Sequence, residues 1–184
     1  MIRPGGWVLA LCLVLVALIT LVTPDPATDV RRRWNDVGVG QWDQGDEASV
    51  RVTRVRLTRS VVDENDRRLD SEATFVVLDF EVGVRQEQRT FTQITLHTRD
   101  DRAYEPRSEV AGIDPTAPGF SRRGSMVFEV PDDRVAGAEL WVERDGQAFD
   151  VFAPAVRVDL GFQREPAVEL GPVAVAQSVV QVTP

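Results

Sequence analysis

The chain has 184 residues, a formal net charge of −8 at pH 7, one cysteine and one histidine. This length allows one domain of ordinary size with short appendages and excludes two large cores. The acidic balance repels phosphate backbones, so no nucleic-acid partner is expected. The single Cys12 excludes an intramolecular disulfide and a CxxC metal or redox site.

Residues 5–22 form an apolar run without charge, GGWVLALCLVLVALITLV. As an α-helix rising about 1.5 Å per residue, this run spans roughly 27 Å, close to the thickness of the bilayer hydrocarbon. Trp7 lies where an interfacial aromatic belongs, and Pro24 and Pro26 end the helix. We therefore predict an uncleaved N-terminal transmembrane helix within residues 1–23, which anchors the chain in the membrane.

A cleaved signal peptide is the alternative interpretation of the same run. Its apolar region is usually only about 7–15 residues long, and Leu21, Val22 and Thr23 make a poor cleavage site. Arg3 and the free amine favour a cytoplasmic N-terminus, although Arg31, Arg32 and Arg33 follow the run closely. The predicted localisation is the cell membrane, single-pass, with the folded domain outside the cytoplasm.

Residues 24–44 are predicted to be a spacer and lead-in segment with no apolar periodicity. The arginine triplet at residues 31–33 either contacts anionic headgroups or forms part of a solvated linker. Trp34 and Trp42 flank a short Val-Gly-Val-Gly stretch, and we expect them to cap the open end of the following domain by core packing.

Strand signals dominate residues 45–163. In the clearest one, apolar residues recur at every second position, which predicts one buried face and one mostly wet face; they are Val76, Leu78, Phe80, Val82 and Val84. An earlier strand changes phase between Val52 and Val55, which predicts a one-residue bulge near Thr53 and Arg54. Further strands are predicted at residues 91–98, 126–130, 138–142 and 156–162.

Turn signals separate these strands, and no amphipathic helix intervenes, so an all-β sandwich is predicted. Residues 63–72 are charged and aperiodic, which indicates an exposed loop of the kind that carries recognition. Residues 164–184 form a C-terminal tail that is either an added edge strand or a frayed end. We expect it to be mostly disordered beyond Pro172.

Candidate catalytic residues are few. His97 is the only histidine, has no partner histidine or GxSxG serine, and is expected to face solvent from a strand. The acidic pairs could ligate a hard cation, but solvated turns are the favoured interpretation because EF-hand spacing is absent; they are Asp63 with Asn65 and Asp66, Asp100 with Asp101, and Asp132 with Asp133. Gly38 and Gly40 match only part of a dinucleotide fingerprint, since Asp43 fills its last position.

Three stretches carry a resemblance to a known family: residues 74–82 (TFVVLDFEV), 96–104 (LHTRDDRAY) and 124–131 (GSMVFEVP), with Pro118 and Gly119 leading into the third. Together with residues 138–142 (AELWV), they resemble the telokin-like, immunoglobulin-like domains of unknown function on bacterial membrane-anchored proteins and lipoproteins. The resemblance covers roughly residues 45–145 and specifies strands and turns. In this chain, residues 84–88 replace the family's asparagine-glycine turn, and Arg102 replaces its hairpin glycine.

The resemblance implies an extracytoplasmic binding or scaffold module. From the anchor, the spacer and an acidic sandwich with exposed loops we expect a protein partner in the cell envelope. From the residues themselves we predict no catalytic, cofactor-binding or metal-ligating residue, and no enzyme. An envelope hydrolase using loop carboxylates such as Asp63, Asp66, Asp100 and Asp101 is the alternative function. A purely structural role fits the same sequence.

Overall fold

The strands of the chain assemble into two five-stranded sheets in a computed structural model, which describes residues 31–43, 48–84, 91–107, 117–144, 152–162 and 167–182. Sheet 1 contains, in spatial order, β1 (Arg31–Gly38), β8 (Phe152–Asp159), β7 (Glu139–Arg144), β4 (Phe91–His97) and β5 (Ala103–Tyr104). Sheet 2 contains β10 (Val179–Val182), β6 (Phe120–Val130), β3 (Arg68–Val84), β2 (Ala48–Val62) and β9 (Val173–Ala174). Within the described ranges the helical structure is a single 3₁₀ turn at Asp132–Arg134.

Alternate residues of both sheets share one apolar core, which makes the fold a β-sandwich. Sheet 2 contributes side chains such as Leu78, Phe80 and Phe128, and sheet 1 contributes Leu96 and Leu140, all of them fully buried. Since successive residues of a strand point to opposite faces, this core explains why the apolar residues recur at a period of two. The predicted all-β fold and the inward face of β3 are both confirmed.

The predicted bulge in β2 is also confirmed. Val52 pairs with Phe80, but Arg54 pairs with the very next residue of β3, Asp79, so Thr53 is the extra residue. The Thr53 hydroxyl donates a hydrogen bond to the Asp79 carbonyl over 3.1 Å. The bulge lets Val52 and Leu57 both face the core although their positions differ in parity.

The outer face of sheet 2 is largely buried, whereas the alternation in β3 predicted that it is mostly exposed to solvent. Phe75 and Val77 on β3 and Val127 on β6 form a second apolar cluster on this face. Val173 and Val175 of the C-terminal tail belong to the same cluster and cover it.

Residues 173–182 therefore have a defined structure that includes β9 and β10, and the predicted disorder beyond Pro172 is wrong. Glu169 forms a bridge to Thr58, β9 pairs in parallel with the β2 edge, and β10 pairs antiparallel with β6 at the opposite edge. We call residues 169–178 the C-terminal strap, because this segment runs from one edge of sheet 2 to the other. The prediction missed the strap because its short alanine- and valine-rich sequence has no clear period of its own. Its structure depends on the sheet that it packs against.

Two further predictions are corrected at the ends of strands. Residues 31–38 of the predicted spacer form β1 in sheet 1, and residues 68–72 of the predicted loop belong to β3. The remaining loop is a tight hairpin, in which the Asp63 amide donates to the Arg67 carbonyl over 3.0 Å. The four-segment division of the chain itself stays a prediction.

The predicted anchor in residues 1–23 lies outside the described residues. Across the parts of the chain that the structure describes, no helix combines the length and apolar character needed to cross a bilayer.

Candidate functional site

A row of four large side chains crosses the outer face of sheet 1. Trp34 comes from β1, Arg157 from β8, Trp141 from β7 and His97 from β4, so four adjacent strands contribute one residue each. Their neighbours along each strand, such as Val142, point into the core. We call these four residues the ladder.

Ring stacking and cation–π contacts connect the ladder. The His97 and Trp141 rings stack with centroids 3.6 Å apart and planes at 13°. The Trp34 and Trp141 rings are tilted by 57°, with centroids 4.6 Å apart. The Arg157 guanidinium lies 5.0 Å from the Trp34 ring and 5.1 Å from the Trp141 ring. Contacts of this kind contribute about 0.5–1 kcal/mol each at exposed sites.

Carboxylates orient the ladder from the same face. Glu139 accepts a hydrogen bond from the Trp141 indole nitrogen over 3.2 Å and pairs with Arg157 over 3.5 Å. Asp36 on β1 is a second, looser partner of Arg157 at 3.8 Å. The Arg157 charge is thus shared between two rings and two acids.

His97 is half-buried, which corrects the expectation that it faces solvent freely. Burial lowers the pKa of His97, and the nearby Asp101, Glu143 and Glu139 offset only part of that effect. Its Nε2 lies 3.1 Å from the Thr95 hydroxyl, and its buried Nδ1 has no hydrogen-bond partner in the described structure. The lowered pKa keeps the ring neutral near pH 7, as stacking on an indole in a partly dry site favours.

The outer face of sheet 2 is built differently. Glu81 on β3 is clamped between Arg51 at 2.6 Å and Arg123 at 3.1 Å. Burial raises the pKa of Glu81, but the hydrogen bonds and charges of the two arginines lower the pKa by a larger amount, so the net shift is downward. Arg51 also lies 4.6 Å from the ring of Trp42.

Beneath the C-terminal strap, polar groups bind the strap to the sheet. Asp79 accepts hydrogen bonds from Arg56 over 2.7 Å and from the Ser125 hydroxyl over 2.6 Å. The Ser125 hydroxyl oxygen in turn accepts the backbone amide of Ala176 over 3.0 Å. This chain of bonds gives the Asp79 carboxylate, the Ser125 hydroxyl and the Ala176 amide hydrogen-bond partners beneath the strap.

The acidic pairs singled out in the sequence lie in separate turns and are occupied by local bonds. The Asp63 carboxylate accepts the amides of Asn65 and Arg67, and the Arg67 amide is the main cause of the lowered pKa of Asp63. Asp66 follows in the same hairpin with φ of 58°.

The second acidic pair closes the turn between β4 and β5. Asp100 accepts the Thr98 hydroxyl over 2.6 Å, which is the main cause of its lowered pKa. Asp101 adopts φ of 59° in the same turn. The turn thus uses its carboxylate to hold its own backbone in shape.

The third pair, Asp132 and Asp133, lies in the 3₁₀ turn, where Asp132 accepts the Thr74 hydroxyl and pairs with Arg59. Gly38 and Gly40 lie at the end of β1 and in the turn that follows it. Over the described parts of the chain, no group of three or more His, Cys, Asp or Glu side chains could hold a metal ion.

The tryptophan prediction is wrong, because neither ring caps the sandwich core. Trp34 lies on the outer face of sheet 1, and Trp42 is exposed beside Arg51. The signal that could have found the ladder was parity: Trp34 is even-numbered and Val37 odd-numbered on β1, and only Val37 packs against the core.

No protein-family model matches the chain, and the search of curated proteins gives no match. Three solved structures are similar at low level. An uncharacterised β-sandwich protein from Clostridium difficile has 11% identity and a TM-score of 0.46, over 70% of this chain and 95% of the other. A conserved hypothetical protein from Bacillus anthracis has 17% identity and a TM-score of 0.45, over 60% and 91%.

A candidate lipoprotein from Bacillus subtilis has 14% identity and a TM-score of 0.42, over 64% of this chain and 38% of the other. Likenesses of this size transfer no functional residue to this chain.

Proposed function

We propose that this protein is a membrane-anchored, extracytoplasmic module of the telokin-like, immunoglobulin-like kind that binds a protein partner of the cell envelope. Its binding face is the outer face of sheet 1, centred on the ladder. The apolar run at residues 5–22 supports the anchor, and the resemblance over roughly residues 45–145 supports the domain type.

The ladder is the observation that carries the proposal. Tryptophan and arginine are enriched among the residues that dominate binding energy at protein interfaces. Here two tryptophans and one arginine lie together on a sheet face, each partly exposed and already fixed by stacking and by Glu139. Because these side chains are ordered before binding, a partner loses little rotamer entropy when it contacts them.

A photo-crosslinking experiment on the full chain in intact cells tests this binding face. A photoreactive amino acid at Gln93, which is exposed on the same face of β4, is expected to form a reproducible adduct with one protein. The same probe at Glu72, exposed on β3 of sheet 2, is the matched control and is expected to give none.

Substitutions in the ladder then identify the contact. Arg157→Ala and Trp141→Ala are expected to reduce the affinity for the captured partner about tenfold or more, as for residues that dominate an interface. Arg54→Ala and Trp42→Ala, which change an exposed arginine and an exposed tryptophan elsewhere, are expected to leave affinity unchanged. Equal adducts at Gln93 and Glu72, or no adduct at either, contradict the proposed face.

Protease treatment of intact cells tests the proposed topology. External protease is expected to digest the β domain while the membrane-embedded segment remains cell-associated. A protected domain reverses the orientation, and a domain that is released into the medium without residues 1–23 favours the cleaved signal peptide.

A further inference from the structure

The four sheet edges of this sandwich differ in how they are protected against pairing with another strand. An open edge presents unpaired backbone groups, and proteins protect it with charge, proline or very short strands. β1 includes Arg33 and Asp36, while β5 and β9 have two residues each, and Pro172 precedes β9. β10 has four residues, three valines and a glutamine, with no charge and no proline.

β10 also carries the main exposed apolar surface of this edge. All four of its residues are exposed, Val182 at 73% and Val180 at 46%. Val182 pairs with Phe120 on β6, which is 37% exposed. Among the described residues, no strand pairs with the free edge of β10.

The exposed apolar residues share one side of sheet 2. Residues directly opposite each other in paired strands point to the same face, as Val182 and Phe120 do. Phe120 is even-numbered, like the core residues Met126 and Phe128 of the same strand. Val180, Val182 and Phe120 therefore lie on the inward-facing side of sheet 2, where this edge is left uncovered. We call these three residues the overhang.

We propose that β10 pairs antiparallel with β10 of a second copy of this chain, forming a symmetric dimer with one continuous ten-stranded sheet. A two-fold axis normal to the sheet keeps each side chain on its own face. In an antiparallel strand pair, two residues that lie opposite each other point to the same face. Val180 and Val182 therefore lie opposite only even-numbered residues of the second copy. The two overhangs thus merge into one apolar surface, which makes the edge self-complementary.

Charge does not oppose this pairing. β10 itself is uncharged, and the nearest arginines on β6 are already engaged, Arg123 with Glu81 at 3.1 Å and Arg122 with the Ser178 hydroxyl at 2.9 Å. Neither β10 nor the four residues of β6 that pair with it include an acidic side chain, so the acidic net charge of the chain acts over longer, screened distances.

The size of the edge sets the expected strength. A four-residue strand with one flanking aromatic buries less than the roughly 1,200–2,000 Å² of a standard stable interface. The dimer is therefore weak and concentration-dependent, and tethering two copies in one membrane favours it by raising their effective concentration.

Sedimentation of the full-length chain in detergent tests the dimer. The native chain is expected to shift from monomer to dimer as its concentration rises, and Val182→Lys to remain monomeric because each copy would bring a charged ammonium group into the shared apolar surface. Val39→Lys, at a valine that is 39% exposed in the turn after β1 of the other sheet, is the matched control and is expected to dimerise normally. Equal association of both variants overturns the proposal.

Cysteine trapping tests the register and the identity of the occupant. The residue on the two-fold axis lies opposite the same residue of the second copy, within disulfide range. In the full-length chain carrying Cys12→Ser, a homodimeric disulfide is therefore expected with either Val180→Cys or Gln181→Cys. Glu105→Cys, exposed beyond β5, is the control and is expected to stay reduced. Absence of trapping at both positions, or an adduct with a different protein there, overturns pairing between two copies.

Discussion

The two sheets of this sandwich cover their outer faces in different ways. On sheet 2 the C-terminal strap buries Phe75 and Val77, and two partly buried ion pairs, Arg51 with Glu81 and Arg56 with Asp79, lie on the same face. On sheet 1 no described segment crosses the face, and large amphipathic side chains lie against one another instead. A face closed by the protein's own chain serves stability, whereas the face of stacked tryptophans and arginine is the one that we propose for a partner.

The largest expected loss of stability comes from truncating the aromatic side chain that the strap covers on sheet 2. Phe75→Ala is expected to lower the free energy of unfolding by about 3–4 kcal/mol, because the ring is buried beneath the strap and its loss leaves a cavity. Urea denaturation of the full chain in detergent measures the change. Phe120→Ala, at a partly exposed phenylalanine of the same sheet, is expected to cost less than about 1 kcal/mol. Similar losses for the two variants would show that the strap does not seal the face.

The polar contacts beneath the strap come next. Asp79→Asn leaves the Arg56 guanidinium without its counter-charge and is expected to cost about 2 kcal/mol. Hydrogen exchange of the Ala176 amide is expected to accelerate, because its acceptor Ser125 is held by Asp79. Asp70→Asn breaks an exposed pair with Arg68 and is expected to cost well under 1 kcal/mol. Unchanged exchange at Ala176 would separate the strap from this group of bonds.

The strands were predictable because each obeys a local rule, whereas the two outer faces were not. The alternation in β3 and the phase change at Thr53 follow from the period of a strand and locate the core. Burial of Phe75 and Val77 depends on a tail about 100 positions later in the chain, so no window of sequence contains it. The ladder depends on four strands that are neighbours in space only, and Trp34 alone could not indicate its partners.

The clamp around Glu81 predicts a pH dependence for sheet 2. Its folded pKa is below the ordinary value, so its stabilisation is present above about pH 4.3 and is lost as pH falls through the folded pKa. Glu81→Gln is expected to cost about 1 kcal/mol at pH 7 and progressively less below pH 4, where the native carboxylate is also neutral. Chemical denaturation at several pH values measures both chains. Glu72→Gln, at an exposed position, is the control; a constant difference for Glu81→Gln across pH contradicts the clamp.

The smallest expected effect on stability concerns His97 on the outer face of sheet 1. The chain has one histidine, so the ring signal of His97 in a proton NMR titration is unambiguous. Its midpoint is expected below about 6.5, because burial against Trp141 disfavours the charged ring. The unfolded chain then binds a proton that the folded chain refuses, so stability falls slightly as pH drops from about 6.5 towards the folded pKa.

Substitution of the covering ring distinguishes burial from charge as the cause. Trp141→Leu exposes the imidazole but leaves Asp101, Glu143 and Arg157 in the sequence around it, so the His97 midpoint is expected to rise. Trp42→Leu removes an equally large ring from the other sheet's surroundings and is expected to leave the midpoint unchanged. If Trp141→Leu failed to raise the midpoint, the stack would not be what keeps His97 neutral. The ladder on sheet 1 would then be a set of solvated side chains and a poor candidate for a preformed binding face.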